Sequence, residues 1–186
     1  MAKKKQQVIV IGGGASGMAA AITAARQNAD VTILEHMDRV GKKLLSTGNG
    51  KCNLTNMNIR EECYRCSQKG FPMKVLSKFG VEDTLSFFDE LGLMTKNKNG
   101  YLYPNSEQAS TVLDLLRLEL SRRKILVVNG CRVKKIRHEN SPHRFKVETD
   151  SKTFQGDSLI LAAGSKAAPF TGSDGSGYEL AKDLGH

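Results

Sequence analysis

The chain has 186 residues, of which 39% are hydrophobic and 25% are charged, and its formal net charge is +9 at pH 7. This length allows one domain with a substantial core, and the apolar runs are shorter than the roughly 18 residues of a membrane span. The lysine-rich start leads into a strand pattern instead of the apolar region of a signal peptide. Four cysteines do not make a disulfide scaffold in a chain of this size, so a cytoplasmic protein without a membrane partner is predicted.

The first pattern along the chain is a run of β-branched residues that leads into glycines and then alanines. It predicts a buried strand, a turn and a helix of small residues. Gly12, Gly14 and Gly17 satisfy the motif G-x-G-x-x-G. The three glycines of this motif allow a tight turn, the close approach of a pyrophosphate and close packing of helix on strand, respectively. The helix N-terminus, at Ala15 and Ser16, would offer unpaired N–H groups to the phosphates.

A second predicted strand, 31–34, ends at Glu35, which lies 18 residues beyond Gly17. A carboxylate about 20 residues past the glycine motif bonds the ribose of an adenosine in dinucleotide-binding domains. The pattern therefore predicts a dinucleotide. Because a carboxylate would repel a 2′-phosphate, FAD or NAD is favoured over NADP. The alternative is an α/β domain whose glycines only form a turn.

The segment 39–56 combines glycines, lysines and hydrogen-bonding side chains, and such a loop can wrap a polar, anionic ligand. A basic surface loop is the alternative, although long loops without regular structure are uncommon unless they are functional or disordered. The candidate ligand-binding residues in this segment are Lys42, Lys43, Ser46, Gly48, Gly50 and Asn53.

The middle of the chain predicts helices and a hairpin. Cys63 and Cys66 have C-x-x-C spacing, but no second pair stands at zinc distance and the histidines do not cluster with them, so no metal site is predicted. Apolar residues at helical spacing predict short helices at 72–79 and 81–91. The dipeptide Asn-Gly at 99–100 predicts a hairpin turn.

A long helix is predicted over 106–124, with an apolar stripe formed by Val112, Leu115, Leu116 and Leu120. It is predicted to cross over to a third parallel strand at 125–128.

Alternating runs at 131–137, 145–149 and 152–154 then predict a small antiparallel meander. The apolar strand at 157–164 is predicted as a fourth parallel strand, whose Ala163 and Gly164 would let the chain pass close to a cofactor. An ordinary glycine turn is the alternative there. A second glycine-rich loop, 171–178, precedes a short predicted helix at 179–184, and the fold class is α/β.

Two motifs carry a resemblance to a known family. Gly-Gly-Gly-Ala-Ser-Gly and the later Gly-Lys-Lys-Leu-Leu-Ser-Thr-Gly-Asn-Gly-Lys-Cys-Asn-Leu-Thr-Asn resemble the BaiN-type flavoproteins, also described as aminoacetone-oxidase-family or NAD(P)/FAD-dependent oxidoreductases. Matches at 101–104, 161–164 and 171–178 extend the resemblance nearly end to end. It implies a Rossmann-like FAD-binding domain of the two-dinucleotide-binding (glutathione-reductase-like) type, with a parallel sheet, a small antiparallel meander and FAD bound in an extended form.

The resemblance also implies roles for particular positions. The position of Glu35 holds the adenosine ribose and the glycine turn holds the pyrophosphate, with Lys42 and Lys43 beside it. The segment 46–56, which includes Cys52, would approach the flavin side. The backbone of Val133, at the start of the meander, would contact adenine.

The function implied by the resemblance is a flavin-dependent oxidoreductase that transfers hydride through flavin N5 to or from an unknown small-molecule substrate, with NAD(P)H as a candidate electron donor. Relatives continue for about as long again, so residues 1–186 are expected to form one FAD/NAD(P)-binding domain, incomplete at its C-terminal end and lacking the substrate domain. No catalytic residue is assigned, because in flavoenzymes the cofactor carries the redox chemistry.

Two alternatives stay open, an NAD-binding dehydrogenase domain and a non-catalytic basic binding module. The positive net charge favours the basic module, but the cations are scattered and no nucleic-acid-binding motif is present, so a nucleic-acid partner is not predicted. The sequence does not predict an oligomeric state.

Overall fold

The computed structural model describes residues 4–139 and 144–186. In chain order the strands and helices are β1 (Gln7–Ile11), α1 (Ala15–Arg26), β2 (Asp30–Leu34), β3 (Thr55–Asn56), α2 (Phe71–Leu76), α3 (Val81–Asp89), β4 (Thr95–Lys98), β5 (Tyr101–Pro104), α4 (Ala109–Arg122), β6 (Leu126–Val128), β7 (Val133–His138), β8 (Phe145–Thr149), β9 (Thr153–Gly156), β10 (Ser158–Leu161) and α5 (Ser176–Asp183). The chain divides into two compact units. The first unit comprises Met1–Leu44 and Leu116–His186, and the second comprises Leu45–Leu115.

The first unit contains a parallel sheet with strand order β10-β1-β2-β6. Val10 and Ile33 are fully buried on the two central strands, as expected of parallel strands covered on both faces. Helix α1 connects β1 to β2 and buries Met18, Ala21 and Ile22. The four parallel strands predicted from the sequence are confirmed, although β10 ends at Leu161, earlier than predicted.

Strands β7, β8 and β9 form the predicted antiparallel meander. Its inward-facing Ile136 and Val147 belong to one buried cluster with Ile9, Ile11 and Leu34 of the parallel sheet. The meander begins at Val133, two residues later than predicted, because the backbone just before it pairs elsewhere. The N–H of residue 131 donates to the carbonyl of residue 35, and the N–H of residue 130 to that of residue 37.

The second unit contains an antiparallel sheet of order β3-β5-β4. Asn99 and Gly100 connect β4 to β5 with φ values of 53° and 91°. Positive φ at both central residues is required in a two-residue type I′ turn, so the predicted hairpin is confirmed. Strand β3 was not predicted, because it consists of two residues and exists only through its pairing with β5.

Several helix boundaries differ from the prediction. Helix α4 begins at Ala109 and spans both units, and its fully buried residues include Leu113, whereas Leu115 of the predicted stripe is only half-buried. The segment Lys42–Gly50, expected to lack regular structure, forms 3-10 turns with a kink at residues 47–49. Helix α5 begins at Ser176, inside the predicted glycine-rich loop. In the ranges that the structure describes, no helix has both the length and the apolar composition to cross a membrane.

Candidate functional site

The glycine turn between β1 and α1 is shaped by two of the three motif glycines. Gly12 has a φ of +100°, and a Cβ there would lie 2.4 Å from the carbonyl oxygen of Ala162. Gly17 packs so closely that a Cβ would lie 1.9 Å from the carbonyl oxygen of Gly12. Both glycines are therefore required by the protein itself, one for the turn and one for helix packing.

Gly14 differs, because no described atom lies within 4 Å of the position its Cβ would take. It is the N-cap of α1, and no described side chain caps this helix. The next two residues, Ala15 and Ser16, are exposed. The first N–H groups of an α-helix have no intrahelical partner and mark the positive end of its dipole. The turn therefore presents backbone donors to solvent beside a glycine that leaves space for an incoming anion.

Glu35 lies at the carboxyl end of β2 and is buried, with 7% of its surface exposed. Its Oε2 accepts a hydrogen bond from the N–H of Gly13 at 2.6 Å, and its Oε1 accepts one from the N–H of Met37 at 2.8 Å. His36 Nδ1 lies 3.2 Å from the same Oε1. The structure thus places the predicted acid against the glycine turn, where its hydrogen bonds fix that turn to the end of β2. A carboxylate has about four lone-pair sites, so these bonds leave acceptor capacity for a ribose hydroxyl.

The two lysines of the basic pair already have partners. Lys42 Nζ lies 2.8 Å from Asp38 Oδ1, and the hydrogen bond from Lys42 is the main cause of the lowered pKa of Asp38. Lys43 Nζ donates to the carbonyl of Ala167 at 2.5 Å and to Ser173 Oγ at 3.0 Å. Both ammonium groups thus have partners inside the protein, and their place beside a pyrophosphate stays a prediction.

The carboxyl end of β10 runs alongside the glycine turn. The N–H of Ala162 donates to the carbonyl of Ile11, and the Ala162 carbonyl occupies the space beside Gly12. Ala163 packs against Gly177 of α5, where a Cβ would lie 2.9 Å from the Ala163 Cβ. Gly164 has a φ of +79° and is exposed. Small residues here bring the end of β10 close to the glycine turn and to α5. The predicted approach of Ala163 and Gly164 to a cofactor stays a prediction.

Val133 begins β7 at a bulge, since its pairing with Thr149 is followed by a register shift before Lys135. Its half-buried side chain packs against the core cluster that contains Leu34 and Ile136. A bulge disrupts the ladder locally, so this is a position at which backbone groups can be left to a ligand. The adenine contact itself stays a prediction.

The remaining predicted residues lie in the second unit or at its boundary. Gly48 has a φ of +54°, and a Cβ there would lie 2.6 Å from the backbone nitrogen of Asn53, while Ser46 and Gly50 are exposed. Asn53 Nδ2 donates to the carbonyls of Thr55 and Leu102 at 3.4 and 3.3 Å. Cys52 is buried with a φ of 56°, and burial raises the pKa of its thiol. The segment forms 3-10 turns, its residues 45–51 are exposed, and its contact with a ligand stays a prediction.

Sequence reasoning missed three contributors to the site. Gly13, a variable position of the motif, donates to Glu35 and packs so tightly that a Cβ would lie 2.3 Å from Val40 Cγ1. Ser173 accepts the Lys43 bond, and Gly177 packs on Ala163. The run of three glycines was the available signal for Gly13. Cys63 and Cys66 are exposed free thiols, and no group of three or more metal-ligating side chains occurs among residues 4–139 and 144–186.

The fold defines the class: a Rossmann-like domain with a parallel sheet and additional antiparallel strands. The family model "HI0933-like protein Rossmann domain" matches residues 6–186, and the chain belongs to this family. A 3-dehydro-bile acid delta(4,6)-reductase of Clostridium scindens is 49% identical over 91% of this chain. A ribosomal RNA dihydrouridine synthase of Haemophilus influenzae is 29% identical, also over 91% of the chain. The chain spans 42% and 43% of the lengths of these two relatives.

Two solved structures show the same fold at low sequence identity. The open conformation of a flavocytochrome c3 fumarate reductase matches 98% of this chain and 41% of its own, with a TM-score of 0.67 and 15% identity. Thermovibrio ammonificans THI4 matches 90% of this chain and 61% of its own, with a TM-score of 0.57 and 14% identity. The expected family and the expected fold class are both confirmed.

Proposed function

We propose that the first unit binds FAD through the adenosine diphosphate part, and that it does so within a flavin-dependent oxidoreductase acting on a small molecule. The backbone donors at Ala15 and Ser16 would hold the pyrophosphate, Glu35 the ribose and the Val133 backbone the adenine. A bound flavin supplies hydride transfer through its N5, and the protein contributes binding and orientation. NAD(P)H is the proposed electron donor.

One observation carries this proposal. Gly12 and Gly17 are required by contacts inside the protein, whereas the position that a Cβ of Gly14 would take is open. Open space at an uncapped helix N-terminus allows the phosphates of a ligand to approach the backbone at that point. The buried carboxylate of Glu35, bonded to the same turn, supplies the acceptor that distinguishes a ribose-bearing dinucleotide from a simple phosphate.

Two alternative functions use features of the same chain. An NAD-binding dehydrogenase domain would use the same turn and the same acid. A reaction on RNA is suggested by the relatives named as ribosomal RNA dihydrouridine synthases, at 29% and 24% identity, and by the net charge of +9. The relative named as a reductase of bile acids is 49% identical, which favours a small-molecule substrate.

The cofactor proposal is tested by calorimetry with FAD, ADP and NAD, together with a visible spectrum of the protein after gel filtration with FAD. We expect ADP to bind nearly as well as FAD, because the described donors and the acid all serve the adenosine diphosphate part. NAD binding tighter than FAD would favour the dehydrogenase alternative. FAD binding a hundredfold tighter than ADP, about 2.7 kcal/mol, would show that the flavin ring is also strongly held by this chain.

The role of Glu35 is tested with Glu35→Gln. The N–H groups of Gly13 and Met37 each donate to a different carboxylate oxygen of Glu35. The side-chain amide of the variant has only one oxygen, so the free energy of unfolding should fall by about 1–3 kcal/mol. We also expect wild type to prefer ADP to 2′-deoxy-ADP, and the variant to lose that preference. If the variant loses the same factor of affinity for ADP and for 2′-deoxy-ADP, Glu35 only positions the glycine turn and does not bind the ribose.

A further inference from the structure

Three lysines of the second unit converge on one carboxylate. Lys51 Nζ lies 3.0 Å from Glu107 Oε2, and Lys96 Nζ lies 2.5 Å from Glu107 Oε1. Lys98 contacts that same Oε1. The carboxylate is one-quarter exposed and the lysines are between 31% and 49% exposed. One negative charge faces three positive ones, so the cluster keeps a surplus of two positive charges at the surface.

The backbone holds this cluster in place. Lys96 and Lys98 are two residues apart on β4, so their side chains share one face of the sheet. Glu107 has a φ of 53°, a left-handed conformation uncommon for a non-glycine residue, and its N–H donates to the Pro104 carbonyl at 2.9 Å. The three ammonium groups, that of Lys96 foremost, lower the pKa of the Glu107 carboxyl.

The same face carries two tyrosines. Lys98 lies directly opposite Tyr101 in the β4–β5 pair, and Lys96 lies opposite Tyr103. Directly opposed residues of an antiparallel pair point to the same face, whereas Leu102 on the other face is buried. Tyr101 is 52% exposed. The face therefore combines an under-neutralised group of cations with an accessible aromatic ring.

We propose that this face binds a nucleoside phosphate, with the phosphate on Lys51, Lys96 and Lys98 and the base stacked on Tyr101. Cations that hold phosphates beside aromatic rings that stack bases are the combination by which proteins bind single-stranded nucleic acid. The ligand is either a free nucleotide or one residue of an RNA strand, since both carry a phosphate and a base. This proposal uses other residues than the dinucleotide site and does not depend on it.

The test uses the full chain without added ADP, because ADP is itself a nucleoside phosphate and would compete for the proposed face. Binding of UMP, inorganic tripolyphosphate and a fluorescein-labelled 12-nucleotide oligo-U RNA is measured by calorimetry and fluorescence anisotropy. The Lys96→Gln/Lys98→Gln variant should bind UMP or the RNA, whichever the wild type binds, at least tenfold more weakly. The RNA affinity of this variant should also depend less steeply on salt: the slope of log K against log salt concentration should fall by about 1.4, since each phosphate contact to a single strand contributes about 0.7. The matched control is Lys74→Gln/Lys78→Gln, which makes the same charge change at two exposed lysines of the same unit.

Two further variants test the two parts of the site. Tyr101→Ala should weaken UMP or RNA binding about tenfold and leave tripolyphosphate binding unchanged. Glu107→Gln should strengthen the binding of all three ligands, because their phosphates would no longer compete with the Glu107 carboxylate for the three lysines. RNA binding without UMP binding identifies a strand as the ligand, and comparable binding of both identifies the nucleotide. Equal losses in the two lysine double variants, an unaffected Tyr101→Ala variant, or no binding of UMP and RNA would overturn the proposal.

Discussion

Replacing Gly17 by alanine is expected to lower the free energy of unfolding by roughly 3 kcal/mol, the upper part of the range for overpacking. In an ordinary helix position the same change raises stability by about 0.5–1 kcal/mol, because glycine loses more backbone entropy on folding. Here the new Cβ would stand 1.9 Å from the carbonyl oxygen of Gly12. That oxygen belongs to the turn, so α1 would have to move away from β1.

Urea unfolding followed by circular dichroism measures this difference, and the sign of the change is the decisive quantity. The control is Gly14→Ala, the same substitution three residues earlier, where the structure describes no atom within 4 Å of the new methyl group. If Gly17→Ala were as stable as wild type, α1 would not pack on the turn as the structure has it. Loss of ADP binding by this variant should accompany its loss of stability.

The strand, turn, helix and acid of the proposed dinucleotide site could be predicted because each has a local cause. The β-branched run forms β1, the glycines have a motif with known spacing, and Glu35 lies at a fixed distance from Gly17. The hairpin at Asn99 and Gly100 was predictable for the same reason, since the turn requires positive φ at both positions. Patterns whose cause lies within a few residues can be interpreted from sequence alone.

Features that depend on distant partners could not be predicted. Strand β3 is defined by its pairing with β5, and the Lys43 bonds to Ala167 and Ser173 join residues more than a hundred positions apart. The bond from Gly13 to Glu35 has the same origin. The sequence indicated that an acid follows β2, but only the fold shows its carboxylate holding the turn it was expected to serve. The Lys51, Lys96, Lys98 and Glu107 cluster likewise requires the three-dimensional arrangement of separated segments.

Replacing Gly14 is expected to separate ligand binding from folding. In Gly14→Val the side chain would project into the space where a pyrophosphate is proposed to approach the helix N-terminus. We expect ADP and FAD to bind about a hundredfold more weakly, equivalent to about 2.7 kcal/mol. Gly14→Ala, with one methyl group, should show a smaller loss in the same direction. The backbone at Gly14 has a φ of −73° and a ψ of −174°, which other residues adopt without strain, so Gly14→Ala should cost less than about 1 kcal/mol of stability.

The chain offers a matched control for this prediction. Gly80 is also an N-cap glycine in extended backbone, at the start of α3, and the nearest atom to its added Cβ would be the Leu76 carbonyl oxygen at an ordinary 3.5 Å. Gly80→Ala and Gly80→Val should therefore change stability as the Gly14 variants do, because a helix N-cap favours glycine over either residue in both places, but they should leave ADP affinity unchanged. Calorimetric titration with ADP, beside urea unfolding, measures both quantities for all four variants. ADP affinity that is the same in Gly14→Val as in Gly80→Val would place the phosphate elsewhere and would remove the main support for a dinucleotide at this turn.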